Sequence, residues 1–431
     1  MRFLKLLLFL IVCTVLLLSA IQLRTGFIRE SELNGVFRLA PEPDLKLFAW
    51  KSWFSGVFQE KFAASVNDHI GLRKTLIRIR NQADWSLFRV SHADGFIAGK
   101  EGFLFEEDYI LEYTGKYFIG KQALDLKVRR LKAVQAALRA RGVCLLPVIE
   151  PGKASFYPEY IPDRYRPDRR TQTNLDYLIR QMDAYGVNYI DLNRYFMTIK
   201  DTCRYKLFPE YGMHWSLYGV AVAMDTLSAF IRSECGLPVR TFEIERIEIS
   251  DSLRGTDYDI GHMLNIICPL QPVTAAYPAL KYAPEPQGGG IDLLAVGDSY
   301  FNNIYYDYAP HLFRTTDFWY YNSRYYSDDD RNGKPVDHSN LTSTLEKYDL
   351  ILLAFSEINA HCGFWNFADQ AWHAYYGGPG DSDVYDFENR IRNEREWFRA
   401  MVGKSAAAGT TLERTIRRDA IYMADIDRNS R

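Results

Sequence analysis

The run Ile291–Val296 is short, mostly apolar and free of Gly and Pro, and Gly-Asp-Ser at 297–299 stops it. A segment of this kind reads as a strand buried on both faces of a parallel sheet. Val143–Ile149 and Asp349–Phe355 repeat the pattern, ending in Glu150-Pro-Gly-Lys153 and in Ser356-Glu-Ile-Asn359. Between them lie helical stretches. Leu124, Val128, Leu131 and Leu138 mark one face of a helix that stops at Gly142, and residues 171–185 lead through Gly186 to a strand at Val187–Ile190. This alternation predicts a three-layer α/β/α domain around a parallel sheet. Ligands of such sheets sit beyond the carboxyl ends of the strands, which is where Ser299 falls.

The chain has 431 residues, enough for one large or two ordinary domains. Its formal net charge of −2 carries no nucleic-acid footprint. Cys13, Cys144, Cys203, Cys235, Cys268 and Cys362 show neither zinc-ligand nor C-x-x-C spacing, and the histidines lack ligand spacing, so no metal and no cofactor are expected. Cys13 lies in an apolar run and Cys144 in a buried strand. One disulfide among the remaining cysteines is compatible with the sequence.

Arg2 and Lys5 precede an uninterrupted apolar run from Leu6 to Ile21. It exceeds a signal-peptide core and approaches the length that spans a bilayer, so a retained signal anchor is expected at residues 1–25. With the basic flank inside, the rest of the chain is expected outside the cytoplasmic membrane, in the periplasm or extracytoplasmic space, on a single pass. Residues 26–95 read as a helical juxtamembrane segment, 58–88 being mostly helical. Asp68-His69 within it suits capping or packing better than catalysis. The catalytic domain is expected at 96–376. The breaker Gly377-Gly-Pro-Gly380 then opens a charged helical tail at 377–431.

A Ser on a tight turn at a sheet edge, beside free backbone N–H groups, suits a nucleophile next to an oxyanion hole. Taken alone, Gly-Asp-Ser is an ordinary turn. What adds weight is a second motif, Phe208-Pro-Glu-Tyr-Gly-Met-His-Trp-Ser-Leu-Tyr-Gly219, which sets His214 in the loop before a helix at Leu217–Ile231. Asn302, Asn303, Asn359 and Trp215 are candidates for oxyanion or substrate contacts. The aromatic stretch holding Tyr305, Tyr306, Trp319, Tyr320, Tyr321, Tyr325 and Tyr326 suits sugar stacking or plain packing.

Taken in order, Gly102-Phe-Leu-Phe105, Pro151-Gly-Lys153, Tyr157-Pro-Glu159, Gly212-Met-His-Trp215 and Gly297-Asp-Ser-Tyr300, with Asn67-Asp-His-Ile-Gly-Leu-Arg73 ahead of them, resemble the SGNH-hydrolase-like acetyltransferases of the alginate type, the AlgJ/AlgX group. That family's D-x-H-W supplies acid and base, and its G-D-S-[FY] supplies the nucleophile. The resemblance implies an SGNH-like (flavodoxin-like) fold and O-acetylation of hydroxyls on an exported polysaccharide. It also implies a membrane-bound O-acyltransferase as the partner that delivers the acyl group. It makes Ser299 the nucleophile and His214 the general base.

The family's acid position is Gly212, which has no side chain. A Ser–His pair normally relies on a third group to fix the imidazole. Glu210 is the nearest carboxylate in sequence and the first expectation, with Glu150 and Glu357, at strand ends, as alternatives. Two other functions fit the same residues: a carbohydrate esterase that uses water as acceptor, and a non-catalytic polysaccharide-binding or assembly subunit, which the glycine at 212 favours.

Overall fold

The computed structural model describes residues 2–35, 40–41, 50–166, 170–377 and 382–430. They fall into two units, one formed by residues 1–98 with 259–272 and one by 99–258 with 273–431.

In the first unit the helix Arg2–Thr25 is long and apolar enough to cross a membrane. At 1.5 Å per residue it is about 36 Å long. The mostly helical stretch at 58–88 comprises two helices, Val57–His69 and Arg73–Phe88, broken where Leu72 takes φ 63°. Gly71 is required at the break, because a Cβ there would lie 2.2 Å from the Ser19 carbonyl oxygen and 2.6 Å from Leu23 N. Asp68 pairs with Arg73 at 2.8 Å, and His69 Nδ1 meets the Ser65 carbonyl at 2.8 Å.

The second unit is built on a seven-stranded sheet, labelled in chain order β1 (Cys144–Glu150), β2 (Ile190–Asp191), β3 (Asp292–Gly297), β4 (Thr315–Tyr320), β5 (Arg324–Tyr326), β6 (Lys334–Pro335) and β7 (Leu350–Ser356). The spatial order is β6-β5-β4-β3-β7-β1-β2. The five strands from β4 to β2 are parallel, as the apolar runs predict, and β5 and β6 add an antiparallel edge. In β3 and β7, Leu294, Val296, Ile351, Leu353 and Phe355 join one core cluster, while Leu293, Ala295, Leu352 and Ala354, pointing the other way, are buried as well. The sheet is therefore covered on both faces, the three-layer α/β arrangement that the alternation predicts. The helix Lys121–Arg139 contributes Leu124, Val128, Leu131, Val134 and Leu138 to this cluster. So do Ile391, Phe398, Met401, Ile416, Ala420 and Ala424 from the C-terminal helices, so the charged tail carries an apolar stripe into the core. Of the breaker before that tail, residues 378–380 lie outside the described residues.

Three features depart from expectation. The strand at Val187–Ile190 shrinks to Ile190–Asp191. Residues 242–250 and 275–282 form an antiparallel pair, which the sequence conceals because a bulge between Ile244 and Arg246 interrupts the alternation. The disulfide joins Cys144 to Cys235, so Cys144, set apart as a buried strand residue, is half of it. It stands at the first, half-buried position of β1.

Candidate active site

The sheet brings the carboxyl ends of β3, β7 and β1 side by side, with Gly297 opposite Ala354 and Ser356 opposite Glu150. At Gly297 a Cβ would come within 3.0 Å of the Ala354 carbonyl oxygen, so the turn closes tightly on β7. The next residue, Asp298, is fully buried. Its Oδ1 accepts the Tyr300 N–H at 3.0 Å, the expected turn role. Its Oδ2 accepts from Ser356 N at 2.9 Å, Ser356 Oγ at 2.7 Å and Asn359 Nδ2 at 2.6 Å. One carboxylate thus pins the end of β3 to the end of β7, with half-buried Ser299 between Asp298 and the helix Phe301–Asp307. Beneath the turn lies Glu150, whose carboxyl burial pushes well above the usual range, with the neighbouring Asp298 adding to the shift.

The histidine is held from further away. Lys153 is buried and donates from Nζ to the carbonyls of Leu104 (2.7 Å), Glu210 (3.0 Å) and Gly212 (2.7 Å). The rings of Phe103 and Phe105 lie 5.6 and 5.4 Å from that ammonium. The Leu104 N–H donates to the Glu210 carbonyl at 2.8 Å. Beyond the loop, Ser216 caps the helix Leu217–Phe230 by accepting from Gly219 N. From the nucleophile side the Tyr300 hydroxyl donates to the Met213 carbonyl at 2.7 Å, and its ring packs 4.7 Å from the imidazole of His214.

These two constructions place His214 Nε2 3.1 Å from Ser299 Oγ. A hydroxyl in that contact can pass its proton to imidazole as it attacks an electrophile. Tyr321 also approaches the Ser299 side chain; burial first, and then Asp298, hold its phenol far above the usual range. It sits at φ 50°, beside Asn322 at 52°.

The three carboxylates considered for His214 go elsewhere. Glu210 turns its side chain to Lys206, four residues back, rather than to the imidazole. Glu150 faces Asp298. Glu357 accepts from Ser155 Oγ and is pushed up to about 7, chiefly by burial. Asn359 gives its amide to Asp298, and Trp215 is fully buried against Phe196 and Tyr300. Asn302 and Asn303 lie half-buried in the first turn after Ser299. The sequence reading missed the task of Lys153 and the reach of Tyr300. The signals were present, a lysine after Pro-Gly and a tyrosine after Gly-Asp-Ser, but only the fold brings them to one loop. Among the described residues no group of three or more His, Cys, Asp or Glu side chains is placed to hold a metal ion.

Comparison with known proteins bears on this unit. A family model described as SGNH hydrolase-like domain, acetyltransferase AlgX, matches residues 96–316. A curated relative, the "Probable alginate O-acetylase AlgJ" of Pseudomonas aeruginosa, is 27% identical over 179 residues, which are 41% of this chain and 43% of that protein. The chain thus spans less than half the length of that relative. Among solved structures, the O-acetyltransferase domain of Pseudomonas putida AlgJ is 18% identical, with a TM-score of 0.41 over 62% of this chain and 92% of that one. PatB1 of Bacillus cereus with a sulfonyl adduct is 9% identical, with a TM-score of 0.42 over 63% and 99%. At such identities and scores the structural likeness decides nothing about chemistry. The family model covers just over half of the sequence, and on that ground the chain belongs to the SGNH hydrolase-like family of acetyltransferase AlgX.

Proposed function

We propose that this protein is an extracytoplasmic O-acetyltransferase that moves acetyl groups onto hydroxyls of an exported polysaccharide through an acetyl-Ser299 intermediate. The observation that carries the reading is the 3.1 Å contact between Ser299 Oγ and His214 Nε2. In the first step Ser299 Oγ attacks the acetyl carbonyl of the donor while its proton passes to His214. The tetrahedral intermediate collapses, the donor's leaving oxygen takes that proton, and acetyl-Ser299 remains. In the second step an acceptor hydroxyl gives its proton to His214 and attacks the ester. Ser299 then leaves and recovers the proton.

The location is supported by two independent features. The helix Arg2–Thr25 suits an anchor with Arg2 and Lys5 inside, and the Cys144–Cys235 pair suits an oxidising compartment. The relative named for alginate O-acetylation makes polysaccharide the acceptor class to test. A membrane-bound O-acyltransferase is the proposed source of acetyl groups.

Ser299→Ala in the full-length protein, assayed in detergent with p-nitrophenyl acetate, should lower turnover by at least ~10³-fold with the melting temperature unchanged. Wild type should yield an acetylated Ser299 peptide by mass spectrometry. Normal turnover by folded Ser299→Ala would end the acyl-enzyme reading. Acetate release without transfer to any oligosaccharide would make the protein an esterase instead.

A further inference from the structure

The acid that should hold His214 is absent from position 212, and the packing around Gly212 shows why. A Cβ there would lie 2.1 Å from the Thr256 carbonyl oxygen, 2.8 Å from Pro209 Cγ and 3.2 Å from the carbonyl carbon of Asp257. Backbone fills the space, so no side chain can stand at 212 without moving the chain. Lys153 fixes the same spot from the other side through the Gly212 carbonyl. The intruding backbone is the short turn Gly255–Tyr258. Asp257, its third residue, is fully buried.

A buried carboxylate needs donors or a cation. The neighbouring arginine does not supply one, because the Arg254 guanidinium goes to Glu248. The phenol of Tyr277 faces Asp257, and its oxygen accepts the Arg254 backbone N–H at 2.9 Å. The ring of Tyr211 packs on that of Tyr258 at 5.6 Å, keeping the turn against the loop that leads to His214. On the histidine side Nε2 faces Ser299 and Tyr300 covers the ring, so orientation must come through Nδ1.

We propose that Asp257 is the positioning residue for His214: its carboxylate accepts the Nδ1–H and stabilises the imidazolium, doing from a separate loop what the family motif assigns to the position of Gly212. This rests on the Ser299–His214 reading. The turn puts an acidic residue's backbone where the missing side chain would begin. A carboxylate starting there can reach the imidazole two residues further along the His214 loop.

The test uses full-length protein in detergent with p-nitrophenyl acetate. Asp257→Asn should lower kcat by roughly 10²–10⁴-fold with KM little changed, as expected when the acid of a triad is disabled but the fold kept. The acidic limb of its kcat/KM profile should move to lower pH, since loss of the adjacent anion makes the imidazole harder to protonate. Asp257→Glu should recover part of kcat. A merely structural Asp257 would lower the melting temperature while leaving kcat per folded molecule and the pH limb in place, and that result overturns the proposal. If Asp257→Asn does not fold, Asp257→Glu decides: kcat equal to wild type overturns the proposal, and kcat down about tenfold at unchanged KM supports it. Ser299→Ala and His214→Ala run alongside. Inactive controls with an active Asp257→Asn refute Asp257 alone, whereas active controls refute the Ser–His mechanism itself.

Discussion

The two ends of the Ser299–His214 pair are held in opposite ways. Ser299 follows directly on a strand of the sheet, and its turn is tied to a single neighbouring strand end, where Gly297 closes on β7 and Asp298 accepts from Ser356 and Asn359. His214 is placed by residues from several distant segments, among them Lys153, Leu104 and Tyr300. A turn tied to one strand end keeps its shape while other segments of the chain vary. A loop gripped from afar can exchange the residues that grip it. The nucleophile turn here reads Gly297-Asp-Ser-Tyr300, while the position two residues before His214 is Gly212.

The same contrast decides what could be read from the sequence. The strand before Ser299, the turn and the helix after it are encoded in consecutive residues, and the apolar runs of β1, β3 and β7 announce a parallel sheet within one residue of its actual bounds. The region between 236 and 290 is silent, because a pair of strands with one largely exposed member and a bulge offers no clean period. Lys153 was legible only as part of a motif. Nothing in Pro151-Gly-Lys153 says that its ammonium will serve three carbonyls from two other segments. Glu210 is the natural reading for an acid near His214 in sequence, but its backbone carbonyl receives Lys153, and its side chain pairs with half-exposed Lys206.

The largest effect is expected at the Ser299 end. Asp298→Ala would strip an acceptor from Tyr300 N, Ser356 N, Ser356 Oγ and Asn359 Nδ2 in a buried place. Unsatisfied buried donors put the loss at about 3 kcal/mol. Urea unfolding measures it, and a loss under about 1 kcal/mol would mean that the turn does not depend on this carboxylate.

At the His214 end the expected cost in stability is smaller and the signature differs. Lys153→Met keeps the volume between Phe103 and Phe105 but removes the ammonium from the carbonyls of Leu104, Glu210 and Gly212. A loss of about 2 kcal/mol follows, since the apolar stem avoids the cost of burying a charge. Freed from its clamp, the loop should let His214 drift from Ser299, and kcat should fall about tenfold or more while KM stays close to wild type. Unchanged kcat in folded Lys153→Met would show that Tyr300 and the cap at Ser216 suffice to hold the loop.

The smallest effect is expected at Glu210, and it separates the backbone of this loop from its side chains. Glu210→Gln keeps the carbonyl that receives Lys153 Nζ and Leu104 N, and so leaves the clamp intact. It weakens a pairing between Lys206, whose side chain is 53% exposed, and Glu210, whose side chain is 10% exposed. With the lysine open to solvent, such a pair is worth roughly 1 kcal/mol or less after screening. The melting temperature and p-nitrophenyl acetate turnover of Glu210→Gln should therefore stay close to wild type, turnover within about twofold. A tenfold fall in kcat with the fold intact would mean that this carboxylate leaves Lys206 for the imidazole during turnover. The histidine would then be held by a near neighbour after all, and the contrast between the two ends of the pair would fail where it is sharpest.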